Sequence, residues 1–233
     1  MKFDAILFDL DGTLLPMDYN EFTKGYLSLL AKSVAPYGYV KDTLIAAMWK
    51  GVAAMVRNDG GAPNADRFWQ VFASILGEHV YADIPKFDDF YSHGFHEAKS
   101  FTQPTPFADK SVKLAREKAG KVVLATNPLF PRVAVNSRLE WAGVAPESFD
   151  LITDYENSSF CKPNPAYYTE IVTKLGADAK NCLMIGNNAD EDIAAAQAAG
   201  LSTFLLTDCL IAEGDIPDTA RGSFDELFAF LSE

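Results

Sequence analysis

The sequence is short of cysteine, of positive charge and of long apolar runs. Its three cysteines, Cys161, Cys182 and Cys209, are an odd number without metal-ligand spacing, which argues against both a disulfide framework and a zinc site. Residues 1–4 also lack the basic region, apolar stretch and cleavage site of a signal peptide. We therefore expect a protein of the reducing cytoplasm.

Positive charge is scarce, with 20 Lys and Arg against 32 Asp and Glu and a net charge of −12. Nucleic-acid binding depends largely on neutralising phosphates with Lys and Arg, so we expect no nucleic-acid partner. No segment is apolar enough to cross a bilayer, so we expect no membrane partner. A small phosphorylated substrate is compatible with this charge, because one lysine, a metal ion and backbone N–H groups suffice for one phosphate.

The sequence does have many apolar residues. They make up 48% of the 233 residues, which is enough to form a hydrophobic core. Between about residues 17 and 101 there is no convincing strand, and apolar residues recur at helical spacing. The predicted helices are Glu21–Ser33, Asp42–Val56 and Ala65–Leu76. This block predicts a helical insert.

From Ala108 onward, predicted strands and helices alternate. A helix is expected at Ala108–Lys118, and strands are expected at Lys121–Ala125, Phe149–Thr153, Asn181–Ile185 and Ser202–Leu206. Such alternation is typical of βαβ units. The sequence therefore predicts an α/β protein with a doubly wound parallel sheet.

Polar residues follow the predicted strands where they end. The first apolar run, residues 5–8, leads into Asp9-Leu10-Asp11-Gly12-Thr13; two later strands lead into Thr126-Asn127 and into Gly186-Asn187-Asn188. Lys162 stands beside two prolines, ahead of an amphipathic helix. Open α/β sheets bind ligands outside the carboxyl ends of their strands, so these side chains are expected at one edge.

The order and spacing of these groups resemble the haloacid dehalogenase superfamily of phosphohydrolases, over nearly the whole chain. Asp9 to Thr13 is the specific motif, and Thr126 and Lys162 follow in the right order. The fourth motif departs from the family pattern, because Asn187 stands where an aspartate is usual, ahead of Asp192.

The resemblance implies an architecture and a mechanism. Residues 1–16 and 102–233 would form a Rossmann-like core, with residues 17–101 inserted as a helical cap domain. Asp9 would be the nucleophile that forms an aspartyl-phosphate. Asp11 would protonate the leaving oxygen and later deprotonate water, which requires that burial and the neighbouring carboxylate raise its pKa. The implied phosphate contacts are Gly12, Thr13, Thr126, Asn127 and Lys162.

Magnesium is the implied cofactor, a hard cation that prefers oxygen ligands. Asp9, the backbone carbonyl of Asp11 and Asn187 are the implied ligands, with Asp192 acting through water or orienting the loop. An amide in place of a carboxylate at position 187 should weaken this site.

Each motif also has a purely structural interpretation. Asp11-Gly12 fits a turn, Asn127-Pro128 fits another, and Lys162 fits a solvated loop lysine. Asn187 or Asn188 fits a helix N-cap, with the acidic residues 190–192 complementing the helix dipole. Several residues are better explained by packing or solvation than by a site: His93, His96, Trp49, Lys50, Arg57 and Arg67.

We predict a magnesium-dependent phosphatase that acts on a small phosphorylated metabolite. A phosphomutase would share every motif. A 2-haloacid dehalogenase would have no use for an acid at Asp11, and Asn187 also allows a catalytically weak binding or regulatory protein. The sequence indicates neither the substrate nor the oligomeric state.

Overall fold

The computed structural model describes residues 2–232 of the chain. Within them lie six strands: β1 Phe3–Phe8, β2 Ala119–Leu124, β3 Leu151–Ile152, β4 Cys182–Gly186, β5 Ser202–Leu206 and β6 Ala220–Gly222. They form one parallel sheet in the order β3-β2-β1-β4-β5-β6. The chain builds outward from β1 on both sides, so the topological switch point lies between β1 and β4.

Nine α-helices lie in the same described range: α1 Tyr19–Val34, α2 Lys41–Val56, α3 Asn64–Leu76, α4 Val80–Ser92, α5 Phe107–Lys118, α6 Arg132–Trp141, α7 Pro165–Leu175, α8 Ala195–Ala198 and α9 Phe224–Ser232. Short 3-10 turns cover Ala35–Tyr37, Gly94–Phe101, Pro146–Ser148 and Ala179–Asn181, and a π-helical turn covers Ala189–Ala194.

Helices cover both faces of the sheet, because successive side chains of a strand point to opposite sides. Ile6 and Phe8 belong to one core, which includes residues of α5 and α9 and extends into α1–α4. Ala5 and Leu7 belong to a second core with residues of α7 and α8. The predicted α/β class and doubly wound parallel sheet are confirmed.

The block from α1 to α4 contributes no strand to the sheet. The predicted helices at 21–33, 42–56 and 65–76 correspond to α1, α2 and α3 within two residues at each end. The two chain segments that connect this block to the sheet run side by side: Met17 and Thr102 form an antiparallel bridge, and Gln103 N donates to Pro16 O at 2.8 Å.

Two strand predictions differ from the structure. The predicted strand at 149–153 shrinks to two residues, although Asp150 N and Thr153 N still donate to β2 carbonyls. A 3-10 turn at Pro146–Ser148 immediately precedes it. The edge strand β6 was not predicted, because three residues are too few for a periodic signal.

Candidate active site

The register of the central strands brings their carboxyl ends to one level. Phe8 pairs with Leu124 on one side and with Ile185 on the other. Asp9 N then donates to Ile185 O at 2.9 Å, and Ala125 N donates to Phe8 O at 2.7 Å. The residues that follow β1, β2 and β4 therefore emerge beside each other at the switch point.

The loop after β1 turns sharply at Gly12, whose φ of +88° favours glycine. A Cβ at this position would also lie 2.4 Å from Asn187 Nδ2. The segment does form a turn, and the turn brings Asn187 close to the loop that carries both aspartates.

A cavity of about 350 Å³ lies at these strand ends. The residues predicted to act there come together in its wall: Asp9, Asp11, Thr126, Asn127, Lys162, Asn187 and Asp192. Gly12 and Thr13 do not line it. The Thr13 hydroxyl instead lies behind the wall, 3.2 Å from Asp9 Oδ2 and 3.0 Å from Asn187 Oδ1.

Lys162 is completely buried, and its ammonium joins two carboxylates. Its Nζ donates to Asp9 Oδ1 at 2.8 Å and to Asp192 Oδ1 at 2.6 Å. Burial alone would lower the pKa of Lys162, but the carboxylates of Asp192 and Asp9 raise it well above its usual value. The solvated-lysine interpretation is wrong, because the side chain has no exposure to solvent.

Asp192 also orients the loop after β4. Its Oδ2 accepts a hydrogen bond from Asn188 N at 3.0 Å. The Asn188 side chain is the N-cap of the following turn and accepts from the backbone N–H groups of Asp190 and Glu191. Asn188 therefore has the capping role, and its neighbour Asn187 lines the cavity.

Asn127 links the loops on two sides of the cavity. Its Nδ2 donates to Glu191 Oε2 at 3.1 Å and reaches Lys162 O at 3.5 Å. The backbone carbonyl of Thr126 accepts from Thr153 and from the Tyr167 hydroxyl, both at 2.8 Å. These contacts fix the loop after β2 relative to Lys162.

Arg138 was missed by sequence reasoning. It lies on α6, is fully buried, and pairs through Nη1 with Asp11 Oδ2. Its guanidinium lies over the Phe130 ring, 4.2 Å from the centroid. The sequence did contain one indication that Arg138 is buried. It falls on the apolar face of α6, four residues after Ala134. Its partner is 127 residues away in sequence, so the pairing itself had no local signal.

Asp11 has the environment that acid catalysis requires. Burial raises its pKa to about 6, opposed by the Arg138 guanidinium and assisted by the Asp9 carboxylate. One carboxyl oxygen pairs with Arg138, while the other, Oδ1, is buried without a hydrogen-bond partner. An unpaired buried oxygen beside a cavity is available to a proton or to a ligand.

The chemistry of the donors suits a hard cation, although the carboxylate count is low. Within residues 2–232, no three acidic, histidine or cysteine side chains cluster as a metal site. Asn187 Nδ2 donates to Cys209 O at 2.7 Å, which leaves Oδ1 directed toward Thr13 beside the Asp9 carboxylate. Asp9 Oδ2 and Asn187 Oδ1 therefore lie on either side of the same Thr13 hydroxyl, and both residues also line the cavity. Oxygen donors of this kind are what Mg²⁺ prefers.

The helical block reaches the same cavity. Tyr19 of α1 and Val52 and Val56 of α2 line it. The basic residues Lys50, Arg57 and Arg67 do not. Both His93 and His96 are exposed at the surface and lie outside the cavity.

Comparisons with known proteins agree with this geometry. The family model for haloacid dehalogenase-like hydrolases matches residues 3–200. The chain is 27% identical to the phosphoglycolate phosphatase of Neisseria gonorrhoeae over 97% of this chain and 92% of that protein. It is 26% identical to the ribulose-1,5-bisphosphate 5-phosphatase of Halopiger xanaduensis over 87% and 84%.

A solved structure shows the same fold. The HAD-hydrolase YfnB of Bacillus subtilis, bound to magnesium, superposes with a TM-score of 0.60 at 21% identity, with all of both chains covered. The family match spans most of the chain and includes the motif at Asp9, so the predicted resemblance is confirmed. The chain is an enzyme that belongs to the haloacid dehalogenase-like hydrolase family.

Proposed function

We propose that this hydrolase is a magnesium-dependent phosphatase that cleaves a small phosphate monoester through an aspartyl-phosphate on Asp9. One observation carries the proposal. The Asp9 carboxylate stands at a strand end, held by Lys162 and Thr13, in a cavity that Asp11 also lines with an unpaired oxygen.

In the first step, an Asp9 oxygen attacks phosphorus and the bond from phosphorus to the ester oxygen breaks. Asp11 donates its proton to that oxygen, so an alcohol leaves. The proton is available because burial raises the pKa of Asp11 to about 6. Arg138 holds the other oxygen of Asp11 and so sets which oxygen can reach the ester.

In the second step, a water molecule attacks the phosphorus of the aspartyl-phosphate. Asp11, now a carboxylate, accepts a proton from that water, and the bond between phosphorus and Asp9 breaks. Inorganic phosphate leaves, and both aspartates return to their starting protonation. Two easier displacements replace one difficult hydrolysis.

Charge on the phosphoryl oxygens has to be balanced at a site that is rich in carboxylates. Lys162 supplies the buried positive charge beside Asp9. Asp9, the Asp11 backbone carbonyl and Asn187 would hold Mg²⁺, which neutralises phosphoryl charge when bound. Asp192 orients Lys162 and the loop after β4. Thr126 and Asn127 contribute the wall on the β2 side.

Residues 17–101 are proposed as a cap domain on the core formed by residues 1–16 and 102–233. In support of this, Tyr19, Val52 and Val56 of the block line the same cavity as the catalytic side chains. The paired connections at Met17 and Thr102 give it a narrow attachment. Closure of such a cap would exclude water other than the hydrolytic one.

We also propose that the protein acts in the cytoplasm. Cys161, Cys182 and Cys209 are all free thiols, as in proteins of reducing compartments. No helix among residues 2–232 is long and apolar enough to span a bilayer.

The test is release of inorganic phosphate from a panel of phosphate monoesters, with Mg²⁺ and with a chelator. We expect turnover that requires the metal ion and is lost in Asp11→Asn for esters of ordinary alcohols. Absence of phosphate release from every ester in the presence of Mg²⁺ would contradict a phosphatase and favour a binding protein.

A further inference from the structure

The basic side chains at the catalytic cavity are all paired with carboxylates. Among residues 2–232, Lys162 is the cationic residue that lines the cavity. Its ammonium already contacts Asp9 and Asp192. The nearby Arg138 is buried and paired with Asp11. Neither cation is left to bind a second negative group on a substrate.

The remaining charge in the wall is negative. Glu191 lines the cavity together with Asp9, Asp11 and Asp192. A substrate that carries a carboxylate or a second phosphate would bring another negative group against this wall. In a partly buried site such repulsion is screened less than at the surface. The cavity therefore disfavours a second anion.

Part of the cavity wall is apolar. It consists of Tyr19, Val52, Val56, Leu129, Phe130 and Ile211. Tyr19, Val56 and Ile211 are about half exposed, at 47%, 38% and 40% of their surface. Apolar side chains that stay partly exposed at the wall of a catalytic cavity gain free energy when a ligand covers them.

A second cavity of about 50 Å³ adjoins the first and extends the apolar wall into the helical block. It shares Tyr19, Val52, Leu129 and Phe130 with the catalytic cavity. Its other walls include Met48, Trp49 and Trp69. Trp49 is 48% exposed, so this part of the wall is in contact with solvent.

We propose that the substrate is the phosphate ester of an uncharged alcohol with an apolar, branched or aromatic body. This inference rests on the proposed phosphatase function. The phosphate would lie at Asp9 and Lys162, and the body of the alcohol would pack on the wall formed by Tyr19, Val56 and Ile211. The alcohol oxygen would lie between them, where Asp11 lines the cavity.

The test compares benzyl phosphate with 2-phosphoglycolate. Both are phosphate monoesters of primary alcohols, so both leaving groups need a proton. They differ in the rest of the alcohol, which is an apolar ring in benzyl phosphate and a carboxylate in 2-phosphoglycolate. We expect kcat/KM for benzyl phosphate to exceed that for 2-phosphoglycolate by about tenfold or more, the range in which apolar pockets discriminate.

The variant Val56→Arg adds a cation to the apolar wall. It should lower kcat/KM for benzyl phosphate, raise it for 2-phosphoglycolate, and shrink the ratio by about tenfold. Ile211→Lys makes the corresponding change in the loop after β5 and guards against a folding defect in one variant. Ile75→Arg is the matched control, because Ile75 is 43% exposed on α3 and lines neither cavity. It should leave the ratio unchanged.

The outcomes separate the two proposals. A wild-type preference for 2-phosphoglycolate, or a ratio that neither wall variant changes, overturns the apolar substrate and leaves a phosphatase. Lack of phosphate release from both esters and from p-nitrophenyl phosphate overturns the phosphatase and, with it, the substrate class.

Discussion

At the scale of single residues, the site is a set of charges buried in pairs. Lys162 joins Asp9 to Asp192, and Arg138 holds Asp11. Removing one partner of a buried ion pair leaves an uncompensated charge and usually costs about 3–5 kcal/mol of stability. Exposed pairs contribute about 0–1 kcal/mol. Burial therefore decides which charge changes the protein tolerates.

Arg138→Met should show this difference. We expect a loss of about 3–5 kcal/mol in the free energy of unfolding, because the buried Asp11 loses the cation with which it pairs. Urea denaturation measures it. Lys113→Met is the matched control, since its pair with Asp109 is 74% and 45% exposed, and it should change stability by at most about 1 kcal/mol.

A second substitution tests whether the stability lost in Arg138→Met comes from the unpaired charge of Asp11. In the double variant Arg138→Met with Asp11→Asn, the buried negative charge is also gone, so part of the lost stability should return. Additive losses from the two substitutions would show that Arg138 stabilises the fold by packing on Phe130 instead of through Asp11.

At the scale of elements, the loop after β4 is tied to the loop after β5. Asn187 Nδ2 donates to Cys209 O, Ile211 N donates to Asn187 O, and Ala189 N donates to Ile211 O. An aspartate at position 187 would lose the first of these bonds and direct an oxygen at a carbonyl. The amide therefore stabilises the loop pair, while the carboxylate usual in the family would supply more ligand charge.

Asn187→Asp should have opposite effects on stability and on metal binding. Without Mg²⁺, we expect a stability loss of about 1–3 kcal/mol, the usual result of an unsatisfied buried acceptor. With Mg²⁺, the added charge should tighten binding. Titration calorimetry and thermal unfolding, each with and without Mg²⁺, measure the two effects.

The expected signature is a rise in Tm on adding Mg²⁺ that is larger for the variant than for wild type. Equal or weaker Mg²⁺ binding by Asn187→Asp would mean that another acidic residue already supplies that ligand charge. Glu191 and Asp192, which line the same cavity, would then be the residues to substitute.

Elements were predictable where the signal was local. Apolar runs that stop at polar residues located β1, β2, β4 and β5, and helical spacing located α1–α3. The two-residue β3 and the three-residue β6 are defined by pairing with neighbours distant in sequence. The π-helical turn at Ala189–Ala194 follows from the contacts of Asn188 and Asp192 and had no pattern of its own.

The candidate site divides in the same way. The motif from Asp9 to Thr13 identified its own residues, because spacing within a turn is local. The ion pairs of the site were not visible in the sequence. Arg138 pairs with Asp11, and Asp192 pairs with Lys162, and in each pair the two residues are far apart along the chain. Thr13 was expected to contact phosphate, and its hydroxyl lies against Asp9 and Asn187.

In the whole molecule, the fold brings the predicted catalytic side chains together at one edge of the sheet. A parallel sheet whose order reverses between β1 and β4 collects the ends of three strands, and the helical block adds apolar side chains to the same cavity. The net charge of −12 opposes the approach of anions, so in the proposed phosphatase the buried Lys162 and a metal ion would have to attract the phosphate locally.

Phosphate release by Asp9→Asn decides whether Asp9 is the nucleophile. The amide has the same shape and removes the attacking charge. Asp109→Asn, the same change at an exposed position of α5, controls for general effects, and thermal unfolding checks that the fold is intact. We expect Asp9→Asn to be folded and to retain less than about 1% of wild-type kcat with Mg²⁺, because loss of a nucleophile normally costs many powers of ten. A folded Asp9→Asn protein with more activity than that would contradict the covalent mechanism.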